Sequence, residues 1–139
     1  MNKGIKLWKK ATKIIPGGNS ILSKRPDRYL PDSWPTYFER AKGINVWDLD
    51  GKKYIDMAQM GIGSSILGYS NNAVNSEVNK AIKLGVSTTL NSKEEYTLAK
   101  KLLSLNKGFD SVKFARSGGE AMAMAVRIAR AYYKDAKIA

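Results

Sequence analysis

The stretch from Ser111 to Tyr133 constrains this chain more than any other. Ser111-Val112-Lys113-Phe114-Ala115 places Val112 and Phe114 on one face, the period-two pattern of a short strand. Arg116-Ser117-Gly118-Gly119-Glu120 follows as a tight turn, and Ala121 to Tyr133 predict a helix. Ala121, Ala125, Ala129 and Ala131, with Met122, Met124, Val126 and Ile128, leave that helix little polar surface. Such a helix needs a sheet to lie on, and its small residues let it lie close. The expected fold class is therefore α/β, and Lys137-Ile138-Ala139 reads as the opening of a further strand.

The order strand, glycine turn, helix is also an anion site in outline. The first amides of a helix have no intrahelical acceptor, and the helix dipole adds partial positive charge there. Gly118 and Gly119 would let a phosphate reach the backbone without side-chain clash, and Ser117 could add a hydroxyl donor. A plainer reading fits the same residues. Ser117 and Glu120 have the S-x-x-E spacing of a capping box. Both readings stand at this point. The nucleotide-binding pattern G-x-x-x-x-G-K-S/T is absent, and the dinucleotide pattern G-x-G-x-x-G is incomplete, so the anion would belong to some other cofactor or substrate.

Composition removes whole classes of chemistry. The 139 residues contain no His and no Cys. A His-containing triad, thiol catalysis, a His- or Cys-ligated metal and a disulfide scaffold are excluded within this chain, and no metal site is expected. Lys and Arg number 24 against 12 Asp and Glu, a formal charge of +12. That balance raises nucleic acid as a partner. However, Lys3, Lys6, Lys10 and Lys13 fall on one side of a helix, the pattern of a solvated face, and no nucleic-acid motif accompanies them. The expectation is no nucleic-acid and no membrane partner. The longest apolar run, Ala121 to Val126, is far short of a membrane span, and the expected location is the cytoplasm.

The rest of the chain reads in order. Ile5, Trp8, Ala11 and Ile15 predict a helix over 3–15, stopped by Pro16-Gly17-Gly18. Pro26, Pro31 and Pro35 predict a loop over 16–35. Residues 36–57 predict an antiparallel meander, with Asp50-Gly51 as a hairpin turn in which both central residues take positive φ. The Gly-rich stretch Gly61 to Gly68 predicts close approach of backbone to a ligand or to another chain segment. A helix over 72–84 would turn Ala73, Val74, Val78, Ala81 and Ile82 inward and end at Gly85. Ser92-Lys93-Glu94-Glu95 predicts a capping box opening a further helix.

Three motifs, in this order and spacing, resemble class-III aminotransferases of fold type I, which depend on pyridoxal 5'-phosphate (PLP), and within them the glutamate-1-semialdehyde 2,1-aminomutase-like branch. They are Ile15-Pro16-Gly17-Gly18-Asn19-Ser20, then Val46 through Asp56 ending before Ile66-Leu67-Gly68, then Phe114 through Ala121 with Arg127 to Tyr132. The resemblance implies an N-terminal helix, loop and meander over 1–58, followed from 59 to 139 by the beginning of the large cofactor domain. It implies that Ser117, Gly118 and Gly119 hold the cofactor phosphate, that Ser20 lines the substrate pocket, and that the stretch Gly61 to Gly68 lies near the substrate and a subunit interface. The family's Schiff-base lysine lies further C-terminal, so no catalytic residue is assigned here and the chain reads as an N-terminal fragment without activity of its own. The partners implied are a small-molecule amino donor, a carbonyl acceptor and a second subunit in a homodimer.

Two departures bear on the substrate. Aminomutases resemble Pro-Gly-Gly-Val-Asn-Ser-Pro-Val-Arg in the first loop, where the arginine grips a carboxylate. Ser23 stands at that position here, with Lys24 and Arg25 as the nearest cations. The stretch before Ile66 also lacks the aminomutase tryptophan and is one residue longer. These differences favour an aminotransferase acting on another amine and carbonyl, with the aminomutase reaction as the alternative. The rival from another class is a basic module binding phosphate-rich ligands or nucleic acid.

Overall fold

The computed structural model describes residues 2–133 and divides into two units, Met1–Val86 and Ser87–Ala139. The expected strand opening at Lys137-Ile138-Ala139 lies outside the described residues.

The first unit begins with helix α1, Lys3–Ile14. The Asn2 side chain caps it by accepting the Ile5 amide at 2.8 Å. Of the expected apolar stripe, Ile5 and Ala11 are buried and Trp8 is half-buried, while Ile15 lies one residue past the helix end and is exposed. Lys6, Lys10 and Lys13 lie exposed, as expected of a solvated face. Gly18 packs beneath the Trp8 ring, where an added Cβ would sit 2.5 Å from a ring carbon. The loop that follows is not featureless. It contains two single 3-10 turns, Leu22–Lys24 and Pro26–Arg28, with Pro26 buried.

The meander is a three-stranded antiparallel sheet in the order β1-β2-β3: β1 Phe38–Lys42, β2 Asn45–Asp48 and β3 Lys53–Ile55. Arg40 faces Trp47 across β1 and β2, with its guanidinium 3.7 Å from the ring centroid, a cation–π pair. The Asp50-Gly51 turn departs from expectation. Gly51 has φ 81 but Asp50 does not take a positive φ, so only one of the two central residues is left-handed. The Gly51 amide donates to the Asp48 carbonyl at 3.0 Å, and the Asp48 amide donates to the Lys52 carbonyl at 3.0 Å. That is the three-residue hairpin loop, a turn followed by a left-handed glycine, rather than the two-residue one.

Asp48 explains the choice. It is 6% exposed, and one carboxylate oxygen accepts the Asp50 and Lys52 amides at 3.0 and 2.9 Å while the other accepts the Tyr54 hydroxyl at 3.0 Å. Burial alone would raise its pKa, but the Lys52 amide, the Tyr54 hydroxyl and the Asp50 amide together hold it below the ordinary carboxylate value. Burial and the adjacent Asp48 push the Tyr54 hydroxyl up in turn. The hairpin tip also receives α1: the Lys3 amide donates to Asp50 at 2.9 Å and the Lys3 ammonium to the Leu49 carbonyl at 3.2 Å.

After β3 the glycine-rich segment makes a compact turn, and helix α2, Asn72–Leu84, follows. Of the two readings of the glycine-rich stretch, Gly68 meets another chain segment: an added Cβ would lie 3.1 Å from the Gly43 Cα. Asn71 caps α2 through the amides of Ala73 and Val74, and Gly85 ends it at φ 100. The face expected to turn inward does not bury itself here. Val74, Val78 and Ile82 are exposed in this chain, because an amphipathic period specifies a face and not the surface that covers it.

The second unit holds α3, Lys93–Leu105, and α4, Gly118–Tyr132. The capping box expected at Ser92 does not form. The Ser92 hydroxyl donates to Glu94 at 2.6 Å instead of accepting a helix amide, and this bond is the main cause of a lowered Glu94 pKa. The nearer carboxylate has won the hydroxyl. The strand expected over 111–115 is likewise unpaired, although Val112 and Phe114 stay half-buried between exposed neighbours. A strand is completed by a neighbour's hydrogen bonds, and no described segment supplies them.

Candidate functional site

The turn at Ser117 is built from its own sequence. Ser117 is extended at φ −146 and ψ 160 and serves as N-cap, its hydroxyl oxygen accepting the Glu120 amide at 3.3 Å. Glu120 then reaches back one residue further than a standard capping box. Its carboxylate accepts the Arg116 amide at 2.8 Å and the Arg116 guanidinium at 3.1 Å. The Ser117 carbonyl accepts the Ala121 amide at 3.0 Å. The capping reading therefore holds in modified form. The i, i+4 spacing of Arg116 and Glu120 is the sequence signal for this ion pair, which the S-x-x-E pattern alone does not contain.

Capping leaves part of the helix end open. Among the described residues the amides of Gly118 and Gly119 have no hydrogen-bond partner. They stand at the positive end of a helix covering Gly118–Tyr132. The Ser117 hydroxyl accepts one bond and keeps its proton to donate. Among the described residues a Cβ added at Gly118 or Gly119 would meet nothing within 4 Å, so none of their atoms requires glycine at either position. The space is available to something from outside. Two open amides, a hydroxyl and a cleared approach fit a phosphate group. Beside the turn, a depression is lined by Phe114, Ala123 and Met124 together with Arg127 and the paired Arg116 and Glu120.

Ser20 belongs to the first unit. Asn19 accepts the Ile21 amide at 2.6 Å in an Asx turn, which leaves Ser20 exposed at the bend. Nearby, Ser23 offers its carbonyl to the Tyr29 hydroxyl at 2.8 Å. Arg25 is committed to Asp27 through two bonds, at 3.2 and 2.8 Å, and this guanidinium is the main reason the Asp27 pKa is lowered. Among the described residues no group of three or more His, Cys, Asp or Glu could hold a metal ion. None of the described helices is long and apolar enough to cross a membrane.

The model of the class-III aminotransferase family matches residues 30–139 of this sequence. The chain belongs to the class-III aminotransferases. Among curated relatives it is 32% identical over 138 residues to 3-aminobutyryl-CoA aminotransferase of Cloacimonas acidaminovorans, covering 99% of this chain and 33% of that protein. It is 37% identical over 135 residues to glutamate-1-semialdehyde 2,1-aminomutase of Fusobacterium nucleatum, covering 96% of this chain and 30% of that protein. A solved transaminase with PLP bound superposes with a TM-score of 0.81 at 30% identity, over 95% of this chain and 30% of its own. The chain thus spans about a third of the length of the relatives it matches. The family is PLP-dependent, and the helices and small antiparallel sheet described above are those of the N-terminal part of its α/β fold.

Proposed function

We propose that this chain supplies the N-terminal part of a PLP-dependent aminotransferase that moves an amino group between an amine or amino acid and a carbonyl compound. The open Gly118 and Gly119 amides beside the Ser117 hydroxyl carry the reading, because they suit a phosphate and no atom of the described residues takes them up. In that role the two amides and the hydroxyl orient the cofactor by its phosphate, and Glu120 holds the turn in shape through Arg116. The bound cofactor supplies the electron sink for amino transfer. Ser20, exposed at its bend, is proposed to line the substrate pocket. No residue of this chain is assigned as a proton carrier.

A domain division at 58/59, a homodimer and work in the cytoplasm complete the proposal. They rest on the change from meander to glycine-rich loop, on the family, and on a sequence without cysteine. An aminomutase is the second reading, favoured by 37% identity to the Fusobacterium protein. Ser23 at the arginine position and the engagement of Arg25 with Asp27 favour a transaminase with a different acceptor. A donor and acceptor screen of the complete gene product tests this. PLP-dependent transfer from at least one amine to a keto acid or aldehyde is the expected result. PLP-independent behaviour, with no transfer to any carbonyl, contradicts it. Conversion of glutamate 1-semialdehyde alone moves the assignment to the aminomutase.

A further inference from the structure

The segment 57–68 leaves the sheet at Asp56 and returns to it at Tyr69. Its path is unusual. Gly61, Ile62 and Gly63 are all left-handed, at φ 57, 55 and 80. Ile62 is β-branched, so this backbone is one it rarely adopts unless its surroundings impose it. The segment also carries apolar side chains to the surface: Met57, Ile62, Ile66 and Leu67 are 89, 80, 85 and 67% exposed. Inside the segment the Ile62, Ser64, Ser65 and Gly68 amides donate to the Gln59, Gly61, Met60 and Ser65 carbonyls at 2.8, 3.2, 3.3 and 2.8 Å, and the Ser64 hydroxyl donates to the Gly61 carbonyl at 2.7 Å. These short-range bonds shape the turn, and the contacts at its two ends fix it on the sheet.

Both ends meet at one carboxylate. Asp56 accepts the Ala58 amide on one oxygen at 2.8 Å, at the entrance to the segment. Its other oxygen accepts the Tyr69 hydroxyl at 2.6 Å, at the exit. The Asp56 amide itself is anchored on the Ile44 carbonyl at 2.8 Å. Tyr69 is anchored on Gly43 by two backbone bonds, of 2.8 and 2.9 Å. Gly68, at φ 85, lies against the Gly43 backbone, where an added Cβ would be crowded at 3.1 Å from the Gly43 Cα. The hydrogen bond from Tyr69 is charge-assisted and short. It is also the main cause that pushes the Tyr69 hydroxyl up to about 12, ahead of burial and the carboxylate charge.

We infer that Asp56 and Tyr69 form a clamp that closes the base of the segment 57–68 and holds its left-handed, apolar turn in a single presented conformation. The clamp is a property of this chain and does not depend on the cofactor reading.

Amide hydrogen exchange on the full chain tests it, comparing the wild type with Tyr69→Phe and Asp56→Ala. Tyr69→Phe keeps the ring and both backbone bonds to Gly43 and removes only the hydroxyl. It is expected to speed exchange of the Ser64, Ser65 and Gly68 amides by roughly tenfold, the factor that a lost charge-assisted hydrogen bond carries. Asp56→Ala removes the carboxylate's bonds to both ends, the backbone anchors remaining, and is expected to extend the effect to Ala58 and Ile62. In both variants the amides pairing β2 with β1 and β3 keep their wild-type rates. Unchanged exchange across 57–68 in Tyr69→Phe overturns the clamp. So does an equal rise in the sheet, which would make the pair an ordinary stabilising contact.

Discussion

Two turns in this molecule use the same ingredients to opposite ends. At the β2–β3 hairpin an acidic side chain and a glycine close a loop, and the Asp50, Gly51 and Lys52 amides all find partners on Asp48. Asp48 collects two amides and a hydroxyl, and Gly51 completes the backbone bonds. At the start of α4, Ser117, Glu120 and two glycines also close a loop, but the Gly118 and Gly119 amides are left over. Composition does not separate the two turns. The accounting of donors does. A turn whose acidic side chain gathers the amides around it supports the fold, and one that leaves donors open at a helix N-terminus is available to a ligand.

The contrast breaks first at Asp48. Asp48→Ala strands the Asp50 and Lys52 amides and the Tyr54 hydroxyl, and should destabilise the first unit by about 2–3 kcal/mol in urea unfolding. The same change should leave phosphate binding at Ser117 untouched. Ser117→Ala should have a smaller effect on stability, about 1 kcal/mol for a lost N-cap, visible as reduced helix content by circular dichroism. It should also weaken PLP binding, because the cap and the proposed phosphate donor are the same hydroxyl. The smallest effect is expected from pH. The Asp48 pKa is lowered in the fold, so its contribution is fully present above the unfolded value near 3.8 and is lost as pH falls through the folded value. Acid titration of unfolding should show a stability loss below that value in the wild type, and a shallower loss in Asp48→Asn.

The sequence was readable where a pattern is closed by nearby residues. The α1 stripe, the meander, the 72–84 bounds of α2 with Gly85 at its end and the turn before α4 all follow from local spacing. It misled where two local partners compete. The Ser92 hydroxyl could cap α3 or bond Glu94, and the spacing pattern named the wrong one. Asp50-Gly51 suggested a two-residue turn, because nothing in the dipeptide shows that Asp48 will draw in the Asp50 and Lys52 amides. An Asp two residues before Asp-Gly was the available signal for that arrangement. The strand over 111–115 and the α2 face were legible as patterns, but completing them requires a partner surface that local spacing does not contain. The Asp56–Tyr69 pair, separated by the whole 57–68 segment, left no periodic trace.

The most direct measurement concerns Gly119→Ala in the complete gene product, following PLP affinity of the apoprotein and its thermal stability side by side. Gly119 lies inside α4 with open space where a Cβ would go, so alanine should leave stability unchanged or raise it by up to about 1 kcal/mol. If the open amides hold the cofactor phosphate, that methyl group crowds it, and PLP affinity should fall by roughly tenfold or more. A stable Gly119→Ala protein that binds PLP as tightly as the wild type would contradict the account.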